Sequence, residues 1–190
     1  PDYSSAASDV YKRQYRDNIN YGIIGNCQSS ALIYKDSSID WCCFPKFDSP
    51  SIFAKIIDNS NGGFFKVDTV GNYNISQEYL KNTCILKTAF NNGFDEFHII
   101  DYMPRYQTKK KSYYSPPEIT RIIKYIKGNP KIRITYDPRL DYSIGKTRSY
   151  DKSNFIVSIS ENENYETLYL YSNASLNAII NNEVIELESD

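Results

Sequence analysis

Polar and apolar residues alternate in several short stretches of this 190-residue chain. The clearest stretch is 118–127, which reads EITRIIKYIK and repeats with a period of two. A period of two is typical of a β-strand, because successive side chains point to opposite faces of a sheet. The residues Gly128, Asn129 and Pro130 come next as a turn signal, and they lead into a further predicted strand over 131–136.

Two pairs of predicted strands are close enough in sequence to form β-hairpins. Residues 30–34 and 39–44 flank a short polar turn of ordinary loop length. Residues 84–90 and 94–103 flank an Asn-Asn-Gly turn at 91–93, which supplies the positive-φ residues that such turns need. Both hairpins indicate antiparallel pairing.

The remaining segments extend the same pattern. Further strands are predicted at 63–67, 153–160 and 166–172, a connecting strand or loop at 74–79, and the last one or two strands within 178–187. The best helical candidate is 53–58, which is only one or two turns long. About ten or more short strands at intervals of roughly ten residues predict an all-β fold, an antiparallel sandwich or barrel with few short helices.

Composition excludes several classes of partner and cofactor. A net charge of −1 gives no electrostatic reason to expect nucleic acid or an anionic membrane. With one histidine, the four cysteines cannot assemble an ordinary zinc site, so we expect no metal and no cofactor. We predict reduced, mostly buried thiols in a cytoplasmic protein, since no signal peptide or bilayer-spanning run occurs. The four cysteines are Cys27, Cys42, Cys43 and Cys84.

The first 14 residues differ in composition from the rest of the chain. They are rich in serine and alanine, whereas the body is rich in Asn, Ile and Tyr. The run 4–14 resembles a translated adapter sequence, so we expect 1–14 to be a non-native or disordered leader. The domain is predicted to cover 15–190.

An active site complete within these residues is not predicted. The single histidine, His98, lies on a predicted strand beside Asp95 and Glu96, where we expect a solvent-facing or hydrogen-bonded role. Neither a nucleophile elbow, a Walker A loop nor a dinucleotide fingerprint occurs. A catalytic carboxylate pair is a spatial arrangement that sequence spacing does not reveal.

Sugar binding has better support from the residue types. Aromatic rings offer flat apolar faces to pyranose rings, while Asp, Asn and Arg bind hydroxyls. The first candidate set comprises Asp40, Trp41, Phe47 and Asp48, and the second comprises Arg105 and Tyr106. The alternative is that Trp41 and Phe47 are core anchors, and composition alone leaves both interpretations open.

The segment 38–53, which combines aromatic, cysteine, proline and aspartate residues, carries a specific resemblance. Together with 21–26 and 31–33 it resembles the opening of the trehalase-like N-terminal domain of glycoside hydrolase family 15, the glucoamylase and trehalase group. Three later segments resemble further motifs of that domain: 100–104 (IDYMP), 121–124 (RIIK) and 138–142 (PRLDY). Ser37 and Ser143 stand where the family commonly has glycine.

The resemblance implies a super-sandwich packed against a downstream (α/α)6 barrel that carries both catalytic glutamates. We therefore expect a truncated, non-catalytic domain of an inverting α-glucoside hydrolase, with trehalose or maltose-type substrates. It would brace the barrel, and the first candidate set would contribute to one wall of the cleft. The alternative is a free-standing carbohydrate-binding module that uses Trp41 and neighbouring aromatic residues.

Overall fold

The computed structural model describes residues 20–161 and 165–188. The expected leader, 1–14, lies outside this range. Sixteen strands occur in the described part of the chain, with one 3-10 helix and one α-helix. None of the described helices is long and apolar enough to cross a membrane.

The strands succeed one another with short connections. The first eight are β1 Tyr21–Gly25, β2 Ser30–Tyr34, β3 Ile39–Cys43, β4 Ser51–Phe53, β5 Phe64–Thr69, β6 Asn74–Tyr79, β7 Leu86–Asn91 and β8 Glu96–Tyr102. Next come β9 Tyr106–Gln107, β10 Tyr113–Tyr114, β11 Thr120–Lys127, β12 Lys131–Asp137 and the 3-10 helix Asp141–Ser143. The chain continues with β13 Thr147–Asp151, β14 Ile156–Ser160, β15 Thr167–Leu170, the α-helix α1 Leu176–Ile180 and β16 Ile185–Glu186.

These strands form an antiparallel β-sandwich, as the sequence predicted. One layer is a seven-stranded sheet in the order β1-β2-β3-β5-β12-β16, with β4 paired to β3. The other strands form a four-stranded sheet in the order β11-β8-β7-β6 and a three-stranded sheet in the order β13-β14-β15. The strands β9 and β10 make a separate two-stranded ribbon.

The core lies between the layers because one face of each main strand is apolar. In β8 every second residue is buried, which is the alternation expected of a half-buried strand. One cluster joins the seven-stranded sheet, through Ile24 and Ile33, to Leu86 of the four-stranded sheet. In a second cluster the rings of Phe90 and Phe97 stack in parallel, with centroids 4.7 Å apart. Each such buried side chain stabilises the fold by about 1.5–3 kcal/mol.

Both predicted hairpins are confirmed. β2 pairs with β3, and β7 pairs with β8. Gly93 occupies the turn of the second hairpin with a φ of 93°. The strands on either side of Gly128 do not pair with each other, however. Instead β11 pairs with β8 and β12 pairs with β5, so this connection crosses from one sheet to another.

One prediction of secondary structure is wrong. The segment 53–58 is not a helix: β4 ends at Phe53, and a turn comes after it in which Ala54 N donates to Gly62 O at 2.7 Å. The segment 178–187 holds one strand, β16, as predicted, and the end of the helix α1 lies at its beginning. Ser175 begins that helix by accepting the Ala178 N–H on its side-chain oxygen at 3.2 Å.

The four cysteines are free thiols, but only half of them are buried. Cys42 and Cys43 lie in the interior, whereas Cys27 and Cys84 are exposed. The prediction of mostly buried thiols is therefore corrected. Burial raises the pKa of the Cys42 thiol, so it is an inert packing group rather than a nucleophile.

Candidate functional site

A buried ion pair joins the two layers at one end of the sandwich. Asp101 lies near the end of β8, and Arg121 lies directly opposite it in β11. The guanidinium binds the carboxylate through Nε at 2.7 Å and Nη2 at 3.2 Å, and both side chains are buried. It also donates to the carbonyl oxygens of Phe65 and Ser37, at 3.1 and 2.6 Å. Arg121 thus connects the four-stranded sheet to the seven-stranded sheet.

Burial and pairing act on Asp101 in opposite directions. Loss of hydration raises the pKa of Asp101, while the Arg121 guanidinium opposes that increase. The planar Arg121 guanidinium makes four hydrogen bonds, two to Asp101 and one each to the carbonyl oxygens of Phe65 and Ser37. It also lies over the Phe65 ring, 4.8 Å from the ring centroid. The two residues come from separate motif segments, so the structure gives these motifs a common structural role.

An open groove of about 780 Å³ begins beside this ion pair. Its floor is apolar and belongs mostly to the seven-stranded sheet and to the loop 44–50. The floor residues include Phe44, Ile52, Phe53, Phe65, Tyr136 and Leu140. Its two sides are formed by residues 116–121, where β11 begins, and by 166–171, which contain β15. The volume falls within the range of about 300–1,000 Å³ that is typical of ligand sites.

The Glu166 side chain contacts the backbone of Asp141 at the edge of the groove. Glu166 Oε2 accepts the backbone N–H of Asp141 at 3.1 Å. Burial raises the pKa of Glu166, the nearby charge of Asp141 raises it further, and the N–H bond acts against both. Such a perturbed carboxylate beside a concave apolar surface is typical of a functional site.

The backbone next to Glu166 is strained. Asp141, Tyr142 and Ser143 have φ values of 51°, 55° and 61°, in the left-handed region that glycine favours. Three consecutive residues in this region cost stability, and they persist only where the surroundings hold them. Here Ser143 Oγ donates to Asn61 O at 2.8 Å and Leu140 N donates to Thr147 Oγ1 at 2.9 Å.

The motif loop, residues 44–50, borders the groove through Phe44 and Pro45. Local bonds shape it: Phe47 N donates to Gln28 O at 3.0 Å, and Ser49 N donates to Lys46 O at 3.1 Å. The strand ends at Cys43, before Pro45, as the sequence predicted. Backbone hydrogen bonds within the loop and to Gln28 therefore shape it, and residues 45–48 are exposed.

The four residues of the first candidate set do not share one surface. Asp40 is buried and accepts the Tyr21 hydroxyl at 2.9 Å as well as the Ser38 hydroxyl. Trp41, the next residue of β3, is partly buried opposite Leu32. Phe47 and Asp48 are both exposed on the motif loop. Contact of these four residues with a sugar stays a prediction.

The second candidate set lies on the β9–β10 ribbon. The Arg105 guanidinium stacks over the Tyr113 ring at 4.4 Å, and the Tyr106 and Tyr114 rings lie 5.6 Å apart. On β8, His98 Nε2 lies 3.2 Å from Glu96 Oε1, which agrees with the hydrogen-bonded role predicted for it. In the described ranges, no three His, Cys, Asp or Glu side chains are grouped so that they could hold a metal ion.

Sequence reasoning missed the Glu166–Asp141 contact. Glu166 lies 25 residues beyond Asp141, and no local pattern links them. Asp141 did belong to a recognised motif, so the motif was the one signal that pointed to this region. The site is an apolar groove with left-handed backbone at Asp141, Tyr142 and Ser143 and with Glu166, whose pKa is raised by burial, at its edge.

The described residues define an all-β sandwich domain with an open groove of about 780 Å³. The chain belongs to the family described as trehalase-like, N-terminal, whose profile matches residues 17–172. No solved structure gives a significant match.

Curated relatives named trehalase match the same region. The trehalase of Thermoplasma volcanium is 32% identical over 143 residues, which are 73% of this chain and 22% of the relative. Trehalase 2 of Sulfolobus acidocaldarius is 38% identical over 86 residues, 45% of this chain and 14% of the relative. The trehalase of Mycobacterium tuberculosis is 24% identical over 189 residues, 88% of this chain and 27% of the relative. The chain thus spans about a quarter or less of the length of these relatives.

Proposed function

We propose that residues 15–190 are the non-catalytic N-terminal domain of an α-glucoside hydrolase of the trehalase or glucoamylase type, in glycoside hydrolase family 15. The domain braces an (α/α)6 catalytic barrel supplied by the rest of a longer polypeptide. Its substrate, reached through that parent enzyme, is trehalose or a maltose-type oligosaccharide. The observation that carries the proposal is the family match over 17–172. The matched region corresponds to only a part of a trehalase relative, 22% of the Thermoplasma volcanium protein.

An exposed apolar surface next to the groove supports the bracing role. We define the loop face as Phe47, Ile57, Tyr142 and Ile144, whose side chains are 59%, 66%, 53% and 76% exposed. Hydrogen bonds hold the three segments of this surface together. Tyr142 Oη donates to Ser49 O at 3.5 Å, and Ser143 Oγ donates to Asn61 O at 2.8 Å. A rigid apolar surface of this kind is typical of a site for another protein surface.

Within this proposal the first candidate set has divided roles. Phe47 and Asp48 are exposed on the motif loop and form one wall of the substrate cleft. Trp41 is partly buried on β3, and Asp40 holds the strand through its bonds to Tyr21 and Ser38. The free thiols support a reducing, cytoplasmic location.

The reading frame and its product test the proposal. The frame should continue beyond Asp190 into a coding region for a helical barrel, and the complete enzyme should hydrolyse an α-glucoside that residues 1–190 alone do not. In the complete enzyme, Phe47→Ser and Ile144→Ser should lower the thermal midpoint and the kcat/KM for trehalose. Phe94→Ser is the matched control, because Phe94 is 86% exposed at the β7–β8 turn. A frame without a barrel, or equal effects of all three variants, contradicts the proposal.

A carbohydrate-binding module is the second candidate, and the exposed pair Phe47 and Asp48 favours it. Titration of the isolated chain with trehalose, maltose or isomaltose separates the two. A saturable change in the fluorescence of the single tryptophan, abolished by Phe47→Ala, would support independent sugar binding. The bracing proposal expects no response at millimolar sugar.

A further inference from the structure

The sides of the groove are formed by backbone edges. Six consecutive residues on each side line it, 116–121 and 166–171. When the face of a strand lines a cavity, alternate residues do so, because side chains alternate between faces. The consecutive run 166–171 therefore indicates that β15 presents its edge, whereas 116–119 are the connection before β11 and only Thr120 and Arg121 belong to that strand. Both β11 and β15 are terminal strands of their sheets, and among the described strands none pairs with their outer edges.

The hydrogen-bonding groups of β15 can be assigned to its two sides. Glu166 N donates to Ser160 Oγ at 2.9 Å, and Glu166 O accepts from Ser160 N at 3.1 Å, so both backbone groups of Glu166 point to β14. In an antiparallel strand this direction reverses at each residue. The N–H and C=O groups of Thr167 and Tyr169 therefore point away from β14, along the edge that lines the groove.

The groove also has the surface that the side chains of a strand require. Its floor carries aromatic and aliphatic side chains, among them Phe44, Phe53 and Leu140. Six residues of extended chain span about 20 Å at roughly 3.3 Å per residue. Edge strands with unpaired N–H and C=O groups are templates for pairing with a further strand.

We propose that the groove accepts an extended segment with alternating apolar side chains, which pairs with the outer edge of β15 and lies against the start of β11. The segment connects the four-stranded and three-stranded sheets into one layer opposite the seven-stranded sheet. It comes from the part of the longer polypeptide that lies outside residues 1–190, and this choice of source rests on the proposed function.

The two-sided geometry favours such a segment over a second copy of this chain. A strand between two edges must be unpaired on both of its sides. The edge strand of a folded second copy is already paired on one side, so it can add to β15 but cannot enter between β15 and β11. The relatives are about four times as long as the part that matches, so additional chain exists in proteins of this family.

The first experiment tests the groove without depending on the proposed function. The probe is a capped seven-residue peptide of alternating valine and threonine between terminal lysines, added to residues 1–190. Amide exchange measured by NMR should slow at least tenfold at Thr167 and Tyr169 when the peptide saturates the groove. The same peptide N-methylated at alternate amides is the control, because it fills the groove without donating to the β15 edge.

Two variants separate edge pairing from side-chain contact. Thr167→Pro removes an N–H that faces the groove and leaves the β14 ladder intact, so peptide affinity, measured at the Tyr169 amide, should fall at least tenfold. Thr167→Val keeps the N–H, and its affinity should stay within twofold. Equal binding by the two variants, or no protection by the unmethylated peptide, overturns the proposal.

The second experiment tests the source of the segment. In the complete enzyme the Tyr169 amide should exchange at least tenfold more slowly than in residues 1–190 alone. Unchanged exchange in a complete enzyme that has its catalytic barrel overturns the source while the proposed function stands. Protection that rises with the concentration of residues 1–190 alone identifies a second copy as occupant and also overturns it. A reading frame without a barrel contradicts the proposed function, whereas the peptide result stands by itself.

Discussion

The two ends of the sandwich use carboxylates in opposite ways. We call the end of the sandwich with the β5–β6, β7–β8 and β11–β12 connections the turn end. There Asp95 accepts the Asn129 N–H at 2.9 Å, the Asn92 amide at 3.1 Å and the Tyr73 hydroxyl at 3.2 Å. These donors come from three different connections between strands, so one side chain joins them all. The Asn129 N–H first, and then the Asn92 side chain, hold the pKa of Asp95 below its usual value.

At the groove end the carboxylates are arranged less favourably. Glu166 and Asp141 lie close to one another, and burial with mutual repulsion raises the pKa of Glu166. The adjacent backbone has three positive φ values in residues other than glycine, while glycine occupies the positive-φ positions 71, 93 and 128 at the turn end. Strain and perturbed carboxylates tend to cluster where a protein binds something. The comparison therefore agrees with the proposal of a binding groove at the groove end.

The largest effect is expected from the ion pair beside the groove. Arg121→Met leaves Asp101 buried without its partner, and this should lower the free energy of unfolding by about 3–5 kcal/mol. Urea denaturation at pH 7 measures the loss. Arg133→Met is the matched control, because Arg133 is exposed on β12 and should change stability by less than about 0.5 kcal/mol. A loss for Arg121→Met as small as that of the control would show that the ion pair does not hold the groove end.

A smaller loss is expected at the turn end. Asp95→Ala removes the acceptor for three connections and should lower the thermal midpoint by a few degrees at pH 7. Because the pKa of Asp95 is lowered in the folded state, its contribution is present above the unfolded pKa of about 3.9 and is lost as the pH falls through the folded value. The difference between wild type and variant should therefore disappear in strong acid. A difference that is independent of pH would assign the loss to packing.

Relief of backbone strain should stabilise the groove end. Ser143 has a φ of 61°, and the family commonly has glycine there, so Ser143→Gly should raise the free energy of unfolding by about 0.5–1 kcal/mol. Loss of the Ser143 Oγ bond to Asn61 O reduces the gain. Ser60→Gly is the control, because Ser60 is exposed and does not have a positive φ, and it should be neutral or destabilising. Equal changes in both variants would mean that the left-handed turn is not strained.

The smallest effect concerns the carboxylate pair itself. Glu166→Gln keeps an acceptor for the Asp141 N–H but removes the repulsion, so it should stabilise the fold by a few tenths of a kcal/mol at pH 7. The raised pKa means that charged Glu166 destabilises the folded state above its folded pKa, and that this penalty disappears as the pH falls below it. Chemical denaturation at pH 7 and pH 4 should show the gain only at pH 7. A variant less stable than wild type at pH 7 would mean that Glu166 is favourably paired.

Local pattern was sufficient for most strands and for both hairpins. The Asn-Asn-Gly turn predicted the β7–β8 pairing because its φ requirement is local. The resemblance identified Asp101 and Arg121 as motif residues, although their contact was not predicted. It also marked Ser37 and Ser143 as positions that commonly have glycine, and both have positive φ, 69° and 61°. At 176–180 the Ser175 cap and the packing of Ile179 in the core favoured a helix over the predicted strand.

The sequence by itself determined an antiparallel β-rich fold, because alternation and turn chemistry act between neighbouring residues, and its motif segments carried the resemblance to the trehalase-like N-terminal family. Only the tertiary structure decided that the Gly128 connection crosses between sheets. The alternation within β11 and β12 is the same whether they pair with each other or, as observed, with β8 and β5. It likewise decided that Asp40 is buried while Asp48 is exposed, and that Glu166 meets Asp141. These relations join residues that are distant in sequence, and they depend on which sheet faces which.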